Sequence, residues 1–328
     1  MKAALPLVAL CALAGCGRYE DFTLPYVDRP PEAGTWVWEA RPEPVLGLGA
    51  AGEFDRVDAL NPSVVRHSGT LFNYYSGFDG TYWHTGLAVS EDEGLTWRKR
   101  GALLSPPAGG YIAANGSALR LGSETLYWYQ AGKVPRMELA RFPDGKAAQR
   151  HPGPVLDLGP RGSWDERGVA DPYIVRFGGA FYAYYLGQDR AKQQRLGVAR
   201  SPDGITWTKL RANPVLELGE AGSFDENGLG EPAVWFWGGS YWMLYTGRDR
   251  NEVRRMGLAQ SRDGVRWTKL PSTVITGDQP WNRQVVCDAT VEVRRDGVHV
   301  WFGGGDRPKP DERLNGQIGY AILRWQPR

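Results

Sequence analysis

Apolar and polar residues alternate in short runs along most of this chain, and glycine, proline or aspartate punctuates each run. A period of two is the pattern of half-buried β-strands. The runs recur as a unit. Pro44-Val45-Leu46-Gly47-Leu48-Gly49 leads into Phe54-Asp55, Pro154-Val155-Leu156-Asp157-Leu158-Gly159 into Trp164-Asp165, and Pro214-Val215-Leu216-Glu217-Leu218-Gly219 into Phe224-Asp225. These copies begin 110 and then 60 residues apart, so a fainter unit lies between the first two. Each unit opens with a short apolar run, at 63–66, 118–120, 173–176, 233–236 and 290–293. A glycine turn and an aromatic run follow, the latter at 71–76, 126–130, 181–186, 241–246 and 298–302. The third run spans 86–89, 137–140, 196–199, 256–259 and 318–321. A fourth carries Trp97, Trp207 or Trp267 after a turn, and residues 141–146 are its divergent equivalent in the second unit.

Five units of four antiparallel strands predict an all-β fold, a five-bladed β-propeller. Each unit has apolar faces that only a neighbouring unit can cover, so the ring must close. The fifth unit stops after its third run. Gly34-Thr35-Trp36 precedes Pro44 much as Gly204-Ile205-Thr206-Trp207 precedes Pro214, so an N-terminal strand over 34–39 is expected to complete the last blade. The propeller then occupies 34–328, and its aromatic residues read chiefly as packing between blades.

Composition agrees with this picture: 14 Trp, 15 Tyr and 43 Gly suit an all-β chain with many tight turns. A net charge of +2 with interleaved signs gives no nucleic-acid surface. The chain starts Met1-Lys2 and continues with an apolar run to Leu13, too short to span a bilayer and of signal-peptide length. Leu13-Ala14-Gly15-Cys16 resembles the bacterial lipobox. That resemblance implies a signal peptide over 1–15, acylation of Cys16 and a membrane partner. Gly17 rather than Asp after the cysteine implies the outer membrane, with the protein at the periplasmic face or cell surface. Residues 16–33, with Pro25, Pro30 and Pro31, read as the lipidated cysteine and a tether. Of three cysteines only Cys287 stays unassigned, so no internal disulfide is expected.

The chemistry lies just before each first strand, where the entry ends of the inner strands face one mouth of the ring. Asn61-Pro62, Asn115-Gly116, Asp171-Pro172, Glu231-Pro232 and Asp288-Ala289 align there, so every blade contributes one polar side chain to a single tier. Carboxylates confined together raise one another's pKa, which is how acid/base pairs are made. Asp55, Asp165 and Asp225, and also Asp79, Asp189, Asp249 and Asp306, recur in unlike blades and read as turn-forming residues.

Asp171-Pro172 followed by Glu231-Pro232, each opening a blade, resembles glycoside hydrolase families 43 and 32, which are five-bladed propellers. The resemblance covers nearly all of the chain from Gly34 onward, mainly as architecture. It implies a glycosidase acting on furanoside- or xyloside-type oligosaccharides, with Glu231 as general acid and Asp171 as the residue that tunes it. Pro232 stands where family 32 has a cysteine, which favours family 43. Both families carry a first-blade aspartate; here Asn61 stands in its place, and an amide oxygen is too weak a base to replace it. Asn61-Pro62 and Asp171-Pro172 are similar to motifs of family 130, which implies a mannoside hydrolase or phosphorylase as an alternative. A propeller that only binds glycan or scaffolds an envelope complex is a third reading, and Asn61 keeps it open.

Asp288 and Asp58 are the candidate replacement bases. Asp58 stands where the third and fourth units have Gly168 and Gly228, and is expected to reach the funnel. Substrate contacts are expected from Asn61, Asn115, Trp83 and His84, and from the loop arginines Arg190 and Arg250, with Arg195 and Arg254 in comparable positions. No cofactor or metal is expected from the residues. Family 43 implies a pore calcium as an option, but no histidine occupies the inner tier. Residues 90–97 resemble the sialidase Asp-box, a structural turn that carries no catalysis.

Overall fold

The computed structural model describes residues 19–26, 32–144, 148–270 and 272–328, and every regular element among them is a β-strand. Cys16 and residues 1–15, expected to be a lipidation site and a signal peptide, lie outside the described residues. Strand pairing gives four sheets; a single parallel bridge between Arg254 and Val285 joins two antiparallel groups into the largest of them, so the antiparallel pairings fall into five groups. The first holds Asp58–Leu60 and Val64–His67 as one interrupted inner strand, then Thr70–Phe78, Trp83–Ser90 and Arg98–Leu104. The second holds Ala113–Leu121, Glu124–Ala131, Arg136–Pro143 and Gln149–Arg150. The third holds Gly168–Phe177, Ala180–Gln188, Gln194–Ser201 and Thr208–Leu210. The fourth holds Gly228–Trp237, Ser240–Arg248, Arg254–Ser261 and Trp267–Lys269. Val285–Arg294, Gly297–Gly305 and Gln317–Pro327 make the last, and Gly34–Ala40 pairs antiparallel with its outer edge, from Gly34 opposite Pro327 to Ala40 opposite Ala321.

Each inner strand packs against the inner strands of the groups before and after it, and the last meets the first, so the ring closes around an axis. The expected all-β propeller with an N-terminal closing strand is the observed fold. Trp36 shows why closure holds. Its ring meets Trp235, Trp237, Trp242 and Trp325 edge-on, with centroids 5.0–5.9 Å apart, and so locks the closing strand to the fourth group.

The Asp-box expectation also holds. Asp92, Asp203 and Asp263 each accept backbone N–H groups from their own turn, from Thr96, from Ile205 and Thr206, and from Val265 and Arg266. The repeated Asp55, Asp165 and Asp225 are structural too. Each is buried, accepts a tyrosine hydroxyl (Tyr75, Tyr185, Tyr245) and pairs with a lysine (Lys99, Lys209, Lys269).

Three expectations are corrected. Residues 141–143 belong to the third strand of the second group, whose outer strand is the two-residue Gln149–Arg150. The inner strands begin earlier than the apolar runs suggested, because they pass through the polar tier rather than starting after it. The stretch read as a tether is docked along its described length. Tyr19 and Glu20 run parallel to Lys209 and Leu210 at the edge of the third group, Phe22 and Leu24 are buried in its core, Leu24 N donates to Asp263 O, and Glu32 N donates to Gly238 O. The two apolar anchors, spaced by two, override the proline-rich composition, and the added strand covers an edge that would otherwise stay unpaired.

Candidate active site

The tier residues owe their position to a repeated β-bulge. In the second to fifth groups the pairing register slips between Ala114 and Ser117, Ala170 and Tyr173, Gly230 and Ala233, and Cys287 and Thr290. At each slip two residues oppose one on the neighbouring strand, which kinks the inner strand and re-aims a side chain. In the first group the strand breaks outright at Asn61. The tier residue takes a left-handed backbone at every bulge: φ is 47° at Asn61, 50° at Asn115, 46° at Asp171, 51° at Glu231 and 56° at Asp288. Non-glycine residues held there carry strain, and strain that recurs at one level of a ring marks a functional tier. Proline follows in three blades (Pro62, Pro172, Pro232), where the bulge leaves no ladder N–H to lose.

All five side chains line one funnel of about 320 Å³. One wall is largely apolar, with Leu60, Trp83, Tyr111 and Ile112; the other carries Gln188, Gln194, Arg248 and Arg254. The 306–316 connection overhangs the mouth with Pro310, Asp311 and Glu312. It is tied down by bonds from Arg254 to the Pro310 carbonyl and from Tyr111 to Glu312.

The floor is a chain of interactions. Ser76 Oγ donates to Asn115 Oδ1 at 3.0 Å, and Asn115 Nδ2 donates to Asp171 Oδ1 at 3.2 Å. Asp288 Oδ2 accepts Asn61 N at 3.2 Å, while Asp288 N donates to Thr246 Oγ1 at 3.3 Å. Glu231, Cys287 and Asp288 bring a carboxylate oxygen, Sγ and a carboxylate oxygen within 4.8 Å of one another. A Cβ at Gly303 would come to 2.7 Å from Asp288 Oδ2, so only glycine leaves room for that carboxyl group.

Electrostatics separates these groups. Loss of water, followed by the Glu231 charge, pushes Asp171 up to about 7, against the opposing Asn115 hydrogen bond. Burial and then Glu231 hold Asp288 well above the usual carboxylate range. Burial works against a charged Arg254, but Glu231, Cys287, Asp288 and Asp311 outweigh it and raise its pKa. The floor thus holds Asp171 and Asp288, both of which resist ionising, with Arg254 and Arg248 in the facing wall.

Asp171 gives a stability prediction with a definite sign. Its folded pKa, about 7, lies above the ordinary 3.8, so the folded state holds its proton more tightly than the unfolded chain does. Stability from this group is full below about pH 4, falls as pH rises through the window up to about 7, and stays lower above it. Asp171→Asn keeps an acceptor for Asn115 and cannot ionise. It is expected to melt higher than wild type at pH 8 and to lose that advantage near pH 4. A constant difference across this range in melting experiments would contradict the assignment.

Several expected contacts fall elsewhere. Asp58 is buried, but its oxygens accept Arg313 N at 2.6 Å and Gly316 N at 2.9 Å, so it anchors the overhanging connection and does not line the funnel. His84 is held by Ser105 Oγ at 2.9 Å and Asp79 at 3.2 Å, behind the wall that Trp83 forms. Arg190 pairs with Glu166 at 2.9 Å and Arg250 with Glu226 at 2.5 Å, both away from the funnel. An acid 24 residues upstream captures each of these arginines. Arg248 and the three glutamines Gln130, Gln188 and Gln194 were missed as lining residues; all sit near the mouth ends of second and third strands, a register that the alignment of units could have supplied.

The model of the glycosyl hydrolases family 32 N-terminal domain matches residues 155–311, which include the Asp171, Glu231 and Asp288 blades. An uncharacterized protein of Mycobacterium tuberculosis is 34% identical over 160 residues, covering 45% of this chain and 52% of the relative. The chain therefore spans about half the length of the curated relatives it matches. Among solved structures, a glycoside hydrolase superposes with a TM-score of 0.69 at 17% identity, over 86% of this chain and 92% of that one. A β-1,2-mannobiose phosphorylase from Listeria innocua gives 0.67 at 12% identity, over 88% and 96%. The bulged inner strands and polar axial tier thus belong to a β-propeller whose fold is similar to that of glycoside hydrolases and whose residues 155–311 match the family 32 N-terminal domain.

Proposed function

We propose that the funnel cleaves glycosidic bonds in oligosaccharides, with Glu231 protonating the leaving oxygen and Asp171 tuning it. The observation that carries this reading is the convergence of five strained bulge residues on one funnel, with Glu231 set among neighbours whose pKa values are pushed up. Burial and the Glu231 charge hold Asp171 and Asp288 above the usual carboxylate range, so the groups beside Glu231 resist ionising with it, an arrangement suited to acid catalysis. Tyr111 offers a face for a sugar ring, and Gln188 and Gln194 offer hydroxyl partners opposite.

Asp288 does not suit the part of a distant base. An inverting pair needs roughly 6.5–9.5 Å between carboxyl groups, whereas oxygens of Glu231 and Asp288 lie within 4.8 Å. With Asn61 unable to take a proton, Asp288 is left as the nucleophile of a retaining pair, whose carboxyl groups sit about 5–5.5 Å apart, or the nucleophile comes from outside the tier. Phosphorolysis of a mannoside is therefore the second reading, favoured by Arg254 lining the same funnel. Turnover of furanosides, xylosides and mannosides, with and without inorganic phosphate, decides between them. Phosphate-independent cleavage supports the first and phosphate dependence the second. Glycan binding without turnover would leave a binding module.

Attachment to the outer membrane through Cys16 belongs to the same proposal. Its support is where the docked N-terminal segment runs. Pro25 lies against Gly178, Leu24 bonds to the Asp263 turn and Glu32 to Gly238, all at strand ends opposite the funnel mouth. An anchor entering on that side would leave the mouth facing away from the lipid, open to polymeric substrate. Cys16→Ser is expected to move the protein from the membrane fraction to the soluble fraction on cell fractionation. Unchanged membrane association would remove the anchor from the proposal.

A further inference from the structure

Glu231, Cys287 and Asp288 form a cluster that acid/base chemistry alone does not account for. Positions 287 and 288 are adjacent in one strand, and ordinary alternation would send their side chains to opposite faces. The bulge at Cys287/Thr290 breaks that alternation, and both converge with Glu231 from the next blade. Asp288 has the side chains of Glu231 and Cys287 within hydrogen-bonding range, but two carboxyl oxygens in the cluster meet no fixed donor. Asp288, only 5% exposed, leaves Oδ1 unpaired, and Glu231 leaves Oε2 unpaired. Buried carboxyl oxygens without partners are costly, and they commonly mark an ion or a catalytic role.

We propose that this cluster binds a thiophilic divalent cation of the zinc(II) class at the funnel floor, through Cys287 Sγ and one oxygen each of Glu231 and Asp288. Sulfur in the donor set selects zinc over calcium or magnesium, which take oxygen ligands. Zinc lies about 2.3 Å from sulfur and about 2.0–2.2 Å from carboxylate oxygen, so tetrahedral ligands sit roughly 3.3–3.7 Å apart. Atoms already within 4.8 Å need a movement of about an ångström to reach that geometry. Three protein ligands leave a fourth position, on the funnel side where Glu231 is partly exposed. Charge also balances: two carboxylates and a thiolate offset the dication and the Arg254 guanidinium whose field reaches all three. The bound cation occupies the oxygen assigned to proton donation, so it holds the site inactive. That consequence rests on the glycosidase reading, whereas the binding does not.

The test needs no substrate. In the full chain carrying Cys11→Ser and Cys16→Ser, Cys287 is the single remaining thiol. Titration with cobalt(II) is expected to produce the intense near-ultraviolet thiolate-to-cobalt charge-transfer band, and zinc(II) to abolish it by displacement. Zinc affinity by equilibrium dialysis is expected to fall by about tenfold or more in Cys287→Ser and in Asp288→Asn. Near-ultraviolet circular dichroism checks that both variants fold. Absence of the band in the single-thiol chain, or undiminished zinc affinity in a folded Cys287→Ser variant, would overturn the proposal and leave a proton shared between the two carboxyl groups as the account of the unpaired oxygens. Zinc binding, with no turnover of any glycoside by the protein freed of metal with a chelator, would support the site and sink the glycosidase reading alone.

Discussion

Glu231→Gln is expected to lower kcat/KM by ~10²–10⁴ on whichever glycoside the wild type turns over. The substitution preserves size and one acceptor oxygen, so binding contacts survive while the transferable proton does not. Loss should therefore appear in kcat rather than KM. It should also depend on the leaving group. An aryl glycoside departs as a stable phenolate and needs little protonation, so the variant should keep more of its activity on it than on an alkyl or sugar leaving group. Asp171→Asn supplies the comparison. It leaves the Glu231 proton in place but removes the charge that crowds it, so the pH profile of kcat should move while some turnover persists at low pH. A Glu231→Gln variant with equal losses on aryl and sugar leaving groups would assign the proton to another residue, and an undiminished variant would remove Glu231 from the chemistry.

The architecture was legible in the sequence because the repeat is written into several independent features at once. The Pro-Val-Leu run, the aromatic strand, the glycine turns and the outer tryptophans all had to align in a propeller of equivalent blades, and they did. The tier was legible for the same reason: five aligned positions differ in chemistry while their surroundings do not. Its backbone was not, since a bulge has no fixed residue signature. The structure places one aromatic, Tyr75, Tyr129, Tyr185, Tyr245 or Phe302, across from the two residues at each break or bulge, a regularity visible only once the pairing is known.

Polar residues in loops were the harder problem. Arg190, Arg250 and Arg254 are similar in sequence, yet only Arg254 reaches the funnel, because Glu166 and Glu226 hold the other two. Asp58 reads as a spare carboxylate until the connection 255 to 258 residues later supplies the two N–H groups that it caps, on Arg313 and Gly316. Such pairings depend on which turns meet across the ring, and nothing local encodes that. The docked N-terminal segment failed for a related reason. Phe22 and Leu24 stand in a stretch rich in proline and charged residues, and their burial follows from a groove built by distant blades.

The repeated Tyr-Asp-Lys clusters allow the cost of burial to be measured within one protein. Lys209 Nζ lies 2.5 Å from Asp165 Oδ2, and their side chains are 6% and 0% exposed. Burial lowers the Lys209 pKa against the pull of Asp165, so the pair is held by geometry rather than by favourable solvation. Lys209→Met leaves Asp165 charged, buried and short of its cation, and is expected to cost about 3–5 kcal/mol, read as a lower denaturant midpoint at unchanged slope. Adding Asp165→Asn should restore most of the loss, because the uncompensated charge goes with it. In the first and fourth blades, Lys99 and Lys269 make the same contact to Asp55 and Asp225, but their side chains are 26% and 25% exposed. Water can partly solvate the abandoned carboxylate there, so Lys99→Met and Lys269→Met should each cost clearly less than Lys209→Met. Equal losses at all three sites would show that the clusters act through packing of the lysine stem, and that the buried charge is not what the lysine is there to offset.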